Sequence, residues 1–326
     1  MDDLSFAGGI ETDPERNGIS GYSPIRETLG RAVLEHNRLP RGQKHHYVPK
    51  FYLKRWAGDD GRLCEFSRPH SEIKPKRRYP DGTAYERGLY TFEDLPPETA
   101  DYIENEFLKR SDDFASTALC NLLAGEVDLG QEHRYAWSRL IMTLVHRSPE
   151  GIERLKLRFG AEFLTEVENF RSGYETWRQP GLPPFDDFIA SLTVADLQRM
   201  NLHLLQQVMD SKLLGEKLNG MIWAQITFDE THHPLLTGDR PIVMTNGLAN
   251  IESHIIMPIS PRTLFVAAND ERQVDHIIRM ADAGLAQRVN NRIARQARKY
   301  VYAIDDRSLS FIECRLGEKA PWSPFE

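Results

Sequence analysis

Apolar residues change rhythm twice along this chain. From about Pro97 to Leu213 they recur at helical spacing, and on either side of that stretch they alternate or gather in short runs. Ile103, Phe107, Phe114, Ala118 and Leu122 line one side of a predicted helix. Trp137, Leu140, Ile141, Leu144 and Val145 mark a second, and the pattern continues over 152–170 with an interruption at Gly160. The Pro- and Gly-rich "GYETWRQPGLPPF" reads as a connector. Thr193 then predicts the cap of a long helix that buries Leu197, Met200, Leu204, Leu205, Val208 and Leu213.

The flanks read differently. "SPIRETLGRAVLEHN" predicts a short helix with Ser23 as N-cap and Pro24 at its first position. "QKHHYVPKFYLKRWAG" predicts an ordered loop that enters a helix at Pro49, with Phe51, Leu53 and Trp56 as candidates for burial. A strand over 62–66 follows the Asp60-Gly61 turn. After Gly220, "MIWAQITFD", "RPIVMT", "HIIMPIS" and "TLFVAA" predict strands at hairpin-like intervals. Two helices and a last strand, "YVYAID", close the chain.

A β–α–β layout of this kind predicts an α+β fold: one mixed or antiparallel sheet assembled from N- and C-terminal strands, beside a central helical layer. The expected organisation is a flexible segment over 1–22 and a single domain over 23–326. Its parts would be a basic, β-rich lobe (23–96), the helical layer (97–218) and a β-rich C-terminal part (219–326).

Composition adds limits. With 326 residues, 40% of them hydrophobic and 27% charged, the chain can build its own core. Its apolar runs fall far short of the roughly 20 residues that cross a bilayer. The acidic, Gly-rich start lacks the pattern of a secretion signal, and Cys64, Cys120 and Cys314 form no disulfide framework, so the expected location is the cytoplasm. The net charge of −7 conceals an uneven distribution: thirteen Lys and Arg stand against six Asp and Glu between Arg38 and Arg87. A basic lobe on an acidic protein can attract a polyanion.

Phosphate loops, dinucleotide fingerprints, nucleophile elbows and HExxH are all missing from the sequence. The candidate chemistry therefore rests on scattered residues. His45 and His46 are neighbours in extended backbone and point to opposite sides, so one of them at most faces a given site. His46 can serve as a base, or can fix the loop by bonding a carbonyl. Asp239 follows Gly238 in "LLTGDRPIV", either as a turn residue bonding its own backbone or as a carboxylate at a strand end. Glu104 sits beside an apolar stripe and can act as a base, a metal ligand or the partner of an Arg. Arg147 ends a helix and can bond its last carbonyls, meet Glu104 or another acid, or grip a phosphate. Arg288, Arg292, Arg295 and Lys299 repeat at helical spacing as a cationic stripe, opposite Val289, Ile293 and Tyr300.

"KHHYVPKFYLKRWA" resembles the start of a widespread, mostly bacterial family of unknown function that opens with a (Q/K)HYVP motif and an aromatic-rich helix. "LCEFSR", "ERGLYTFED", "IENEF", "HRSP", "LLTGDRPIV", "MPISPRTLFVA" and "RVNNRIARQARKYVYA" resemble its later segments in order, over about Gln43 to Ala303. The resemblance implies no reaction. It does place His46, Tyr47, Pro49, Glu104, Arg147, Asp239, Pro241 and Asn290 or Asn291 within recurring motifs. Gly238 and Arg240 depart from the family's usual Ser or Thr and Asn, which weakens an Asp-Asn metal pair here.

Taken together, these residues suggest metal-assisted phosphodiester hydrolysis of nucleic acid. Asp239 and Glu104 would hold Mg²⁺ or Mn²⁺, His46 would activate water, Arg147 would hold a phosphate, and the Arg288–Lys299 stripe would track the backbone. The alternative is a non-catalytic module that binds nucleic acid or protein, in which the motif residues act as structural joints. A hydrolase for another substrate, with His46 and Asp239 as an acid–base pair, ranks third.

Overall fold

The computed structural model describes residues 43–90, 95–96, 102–155, 170–171, 173–245, 247–281 and 284–317. The expected flexible segment, the helix from Ser23 and most of the helix after Ile152 lie outside these residues. In the N-terminal part, strand β1 (Lys44–His46) leads through Pro49 into α1 (Lys50–Leu53), which tightens to a 3₁₀ turn ending at Trp56. Strands β2 (Leu63–Ser67), β3 (Lys74–Arg78) and β4 (Tyr85–Arg87) follow. The middle holds a π-helical segment (Ile103–Leu108) running into α2 (Lys109–Leu123), then α3 (Gln131–His146), α4 (Phe185–Ser191), α5 (Val194–Met209) and α6 (Lys212–Gly220). Next come β5 (Ile222–Thr227), β6 (Thr237–Gly238), β7 (Val243–Thr245), β8 (His254–Pro258) and β9 (Thr263–Ala268). The described chain closes with α7 (Glu271–Arg279), α8 (Leu285–Gln296), β10 (Val301–Ala303) and α9 (Leu309–Glu313).

The class is α+β, and all strand pairs are antiparallel. Among the described residues the strands divide among three sheets rather than one. The order β3-β2-β10-β6 joins the two ends of the chain, β5-β9-β8-β7 is built from the C-terminal part alone, and β1-β4 is a two-stranded ribbon. The reason lies in β9, whose six residues are all buried. A strand covered on both faces belongs to the middle layer of a fold. Ile255, Met257, Phe265 and Ala267 point into a core shared with α2 and α3, while Ile256, Leu264 and Val266 point into a second core with α8. The Phe265 ring meets Trp137 of α3 and Trp223 of β5 edge-on, at 5.6 and 5.2 Å.

Side-chain caps start three of the described helices, at Thr193, Ser211 and Asp270. Thr193 caps α5 through a reciprocal capping box with Asp196. The buried line of α5 runs through Leu202, Leu205 and Met209, while Met200 and Leu213, both expected inside, are 39% and 71% exposed. Leu197's side chain lies outside what is described. Phe114, also expected in the core, is 38% exposed. All three cysteines are free, and among the described residues no helix is long and apolar enough to cross a membrane.

The N-terminal segment is pinned to the C-terminal part by two buried side chains. Trp56 Nε1 donates to the Leu235 carbonyl at 2.8 Å. Tyr52 Oη donates to the Pro258 carbonyl at 2.7 Å and lies 2.6 Å from Thr237 Oγ1. Removing the Tyr52 hydroxyl leaves a buried carbonyl short of a donor, which costs about 1–3 kcal/mol. In equilibrium urea unfolding, Tyr52→Phe is expected to lower the unfolding free energy by that amount, read as an earlier midpoint with an unchanged slope.

Candidate functional site

His45 and His46 point to opposite sides of β1, as extended backbone requires. His45 is buried, with its ring stacked on Tyr90 at 5.5 Å and its Nδ1 accepting the Tyr90 N–H at 3.1 Å. It is a fastener. His46 lies against Tyr85 at 5.6 Å, with Nε2 3.4 Å from the Asp81 carbonyl. Burial, then the Lys50 charge, lower its pKa to about 4. The ring is therefore neutral at pH 7. With Nε2–H on the carbonyl, its Nδ1 lone pair is the basic position.

Glu104 projects from the π-helical segment, a widened turn that often marks a functional position. Burial raises its pKa to about 7, partly offset by the Arg147 charge; Asp112 raises it further. A hydrogen bond from the His46 backbone N–H and the Lys50 charge act downward. Arg147 is 0% exposed. Its Nε donates to the Tyr47 carbonyl at 3.1 Å, and Nη1 and Nη2 lie 3.3 and 3.4 Å from Asp112 Oδ1. The Tyr90 hydroxyl bonds the Arg147 carbonyl at 3.1 Å. Arg147 thus meets an acid, as one sequence reading expected, but that acid is Asp112. Buried and engaged in this way, it has no surface with which to grip a phosphate.

Asp239 belongs to a different environment. Its carboxylate is buried and accepts the N–H groups of Arg298, Lys299 and Tyr300 at 2.9, 2.6 and 3.0 Å. Burial still raises its pKa above the ordinary value, against those three bonds. The bonds reach across the chain instead of forming the local turn that Gly238-Asp239 suggested. Gly238 is required for a separate reason: a Cβ there would come within 3.0 Å of the Tyr300 carbonyl. Beside Asp239 is a small cavity of about 70 Å³, lined among others by Tyr47, Glu86, Arg240 and Lys299. Tyr47 joins the two environments. Its carbonyl is held by Arg147 and its N–H donates to the Ala84 carbonyl at 3.0 Å, while the charge of Asp239 adds to the burial that raises its phenol's pKa. Ala84 itself has a left-handed φ of 51°.

Of the four proposed catalytic residues, Glu104 meets the backbone N–H of His46 and feels the charge of Arg147 without a direct bond to it, and Asp239 lies on the far side of Tyr47. Lys50, Asp112 and Tyr90 complete the first group and were not singled out from the sequence. The cationic stripe is shorter than expected. Helix α8 ends at Gln296 because Asp239 captures the next backbone N–H groups. Arg288, Arg292 and Arg295 are exposed on the helix, whereas Lys299 lies in the following turn beside Asp239. Asn290 is buried and bonds the Leu236 N–H and the Pro234 carbonyl, which makes it a joint between α8 and the chain before β6.

The Mg²⁺ or Mn²⁺ expected from Asp239 and Glu104 does not fit this donor set. Three N–H groups already occupy Asp239, and Glu104 faces two cations. Among the described residues no group of three or more His, Cys, Asp or Glu is arranged to hold a metal ion. Oxygen-liganded ions of this type need several free acceptors.

Comparison with known proteins gives one match: residues 44–307 fit the family described as "Protein of unknown function (DUF4238)". Neither a curated protein nor a solved structure matches the chain.

Two outcomes follow from the site's electrostatics. Glu104 ionises near 4.5 in the unfolded chain and near 7 in the fold. Its contribution to stability is therefore complete below pH 4.5 and is lost as pH rises toward 7. Glu104→Gln is expected to raise the melting temperature at pH 8 and to change it little at pH 4, with a gain on the order of 1–3 kcal/mol at the higher pH. Asp239→Ala leaves three buried N–H groups without an acceptor and is expected to cost about 3 kcal/mol or more. Denaturant unfolding measures that loss.

Proposed function

The chain belongs to the family described as "Protein of unknown function (DUF4238)", a membership that carries no reaction with it, and we propose that it cleaves the phosphodiester backbone of nucleic acid with Glu104 as general base. One observation carries this reading: the π-helical segment brings Glu104 to the His46 backbone, Lys50 and Arg147 in one half-buried place. A carboxyl held near neutrality is suited to take a proton at physiological pH. Lys50 is exposed beside it and Lys44 beside His46, and both supply cations for phosphate oxygens. Arg147 acts as a positioning residue that holds the Tyr47 carbonyl and tunes Glu104 from inside.

The Asp239–Glu104 donor set does not suit a metal, and the proposed cleavage uses the chain's own groups. This favours RNA, whose 2′-hydroxyl is a built-in nucleophile. Glu104 takes the 2′-hydroxyl proton, the 2′-oxygen forms a bond to phosphorus, and the bond from phosphorus to the 5′-oxygen breaks. The proton returns through solvent to the leaving oxygen. The products are a 2′,3′-cyclic phosphate and a 5′-hydroxyl. His46, neutral and adjacent, orients the substrate through Nδ1.

Purified protein should cut single-stranded RNA in the presence of chelator, leave the 2′-deoxy analogue intact, and produce cyclic phosphate ends. Glu104→Gln should slow cleavage by about 10²–10⁴-fold while remaining folded. Uncut RNA under all conditions would end the catalytic reading. Salt-sensitive retention of RNA without product would replace it with a binding module in which Asp239 and Asn290 serve as structural joints.

A further inference from the structure

A second cavity, of about 620 Å³, opens between the π segment with α2 on one side and α3 on the other, and the α5–α6 junction closes one end. Phe107, Ser111 and Phe114 are spaced by about one helical turn and line it from the first wall; Tyr135, Arg139 and Met142 line it from α3. The volume lies in the range of small-molecule sites. The aromatic side chains are left open to solvent: Tyr102 is 40% exposed, Phe114 38% and Tyr135 46%. The Arg139 guanidinium already uses one ring, lying 4.7 Å from the centre of Phe107, and it pairs with Asp210.

Two buried donors on residues that line the cavity have no partner. Ser111 is 4% exposed and its Oγ makes no hydrogen bond, and neither does the buried Nε of Arg139. Buried donors are satisfied in native proteins, so an unsatisfied pair lining a cavity calls for acceptors from outside the chain. The charges around the cavity are already matched, with Glu106, Glu132 and Asp210 against Arg110, Arg139 and Lys212. A neutral ligand fits that balance.

We propose that this cavity binds the flat, uncharged heteroaromatic ring of a nucleobase. The ring packs against Phe114 and Tyr135, and its carbonyl oxygens or ring nitrogens accept from Ser111 Oγ and Arg139 Nε. Base-to-aromatic stacking accepts every base, because each has a π-face, and two donors on one side match the acceptor edge that bases carry. The sugar points to the open mouth. The base is either that of a free nucleoside or one in a nucleic-acid strand. Nothing in this site depends on Glu104 being catalytic.

Calorimetric titration of the full chain with adenosine, guanosine, cytidine and uridine, and with single-stranded oligonucleotides of the same bases, tests the proposal. At least one nucleoside or its oligonucleotide should bind with a Kd below about 1 mM. Ser111→Ala should weaken that binding about 10-fold; because the hydroxyl has no partner in the free protein, the fold should be unaffected. Gly215→Leu provides a second variant. A Cβ at Gly215 meets Met142 Cε at an ordinary 3.5 Å, and the longer side chain then fills the cavity floor. Binding by a nucleoside identifies a free ligand, and binding by the oligonucleotide alone identifies a base within a strand. The proposal fails if no probe binds, or if binding is unchanged in both Ser111→Ala and Gly215→Leu.

Discussion

Arg147 has no contact with solvent, so its charge must be compensated inside the protein. Two groups do so, the Tyr47 carbonyl and the Asp112 carboxylate. The same guanidinium therefore fixes the strand that carries His46, anchors α2 through Asp112, and sets the electrostatics of Glu104. Removing it would leave Asp112 and Glu104 as two acids close together in a half-dry place. Glu104 is held at an intermediate protonation because burial and Arg147 oppose each other.

Asp239 plays a corresponding part on the other side of Tyr47. Its carboxylate serves as an acceptor for three successive N–H groups, ends α8 and aligns β10 against β6. A carboxylate used in this way contributes order rather than chemistry. The two environments share one residue, so a shift of the Tyr47 backbone would alter both together.

The sequence showed the elements more clearly than their partners. The alternation in "MIWAQITFD", the capping box at Thr193 and the inward set Val289 and Ile293 are local signals, and the fold follows them. His46, Glu104 and Arg147 were legible as candidates because their residue types and motif positions stand out. Their roles were less legible. Asp239 bonds residues about sixty positions away, and nothing near "TGDRP" indicates that distance. The end of α8 depends on the same bond, so helical periodicity carried Lys299 into a stripe that it leaves. The π-helical turn has no periodic signature of its own, since it adds one residue to an otherwise ordinary helix. Phe114 kept the spacing of a core residue while lining a cavity, because periodicity identifies a face and not what that face meets.

The sheet β3-β2-β10-β6 has a consequence for how the chain acquires its structure. Cys64 pairs with Ala303, so β2 has no inner neighbour until nearly all of the described chain exists. During synthesis the N-terminal lobe must wait as an unfinished hairpin of β2 and β3, with the apolar Leu63 and Phe66 uncovered. Closing so long a loop is slow, and the exposed strand edge invites pairing with other chains in the meantime. Four of the five residues of β3 are exposed; Lys74 and Lys76 carry charge outward, while Arg78 pairs with Glu65. A cationic edge of this kind disfavours pairing with the edge of another copy.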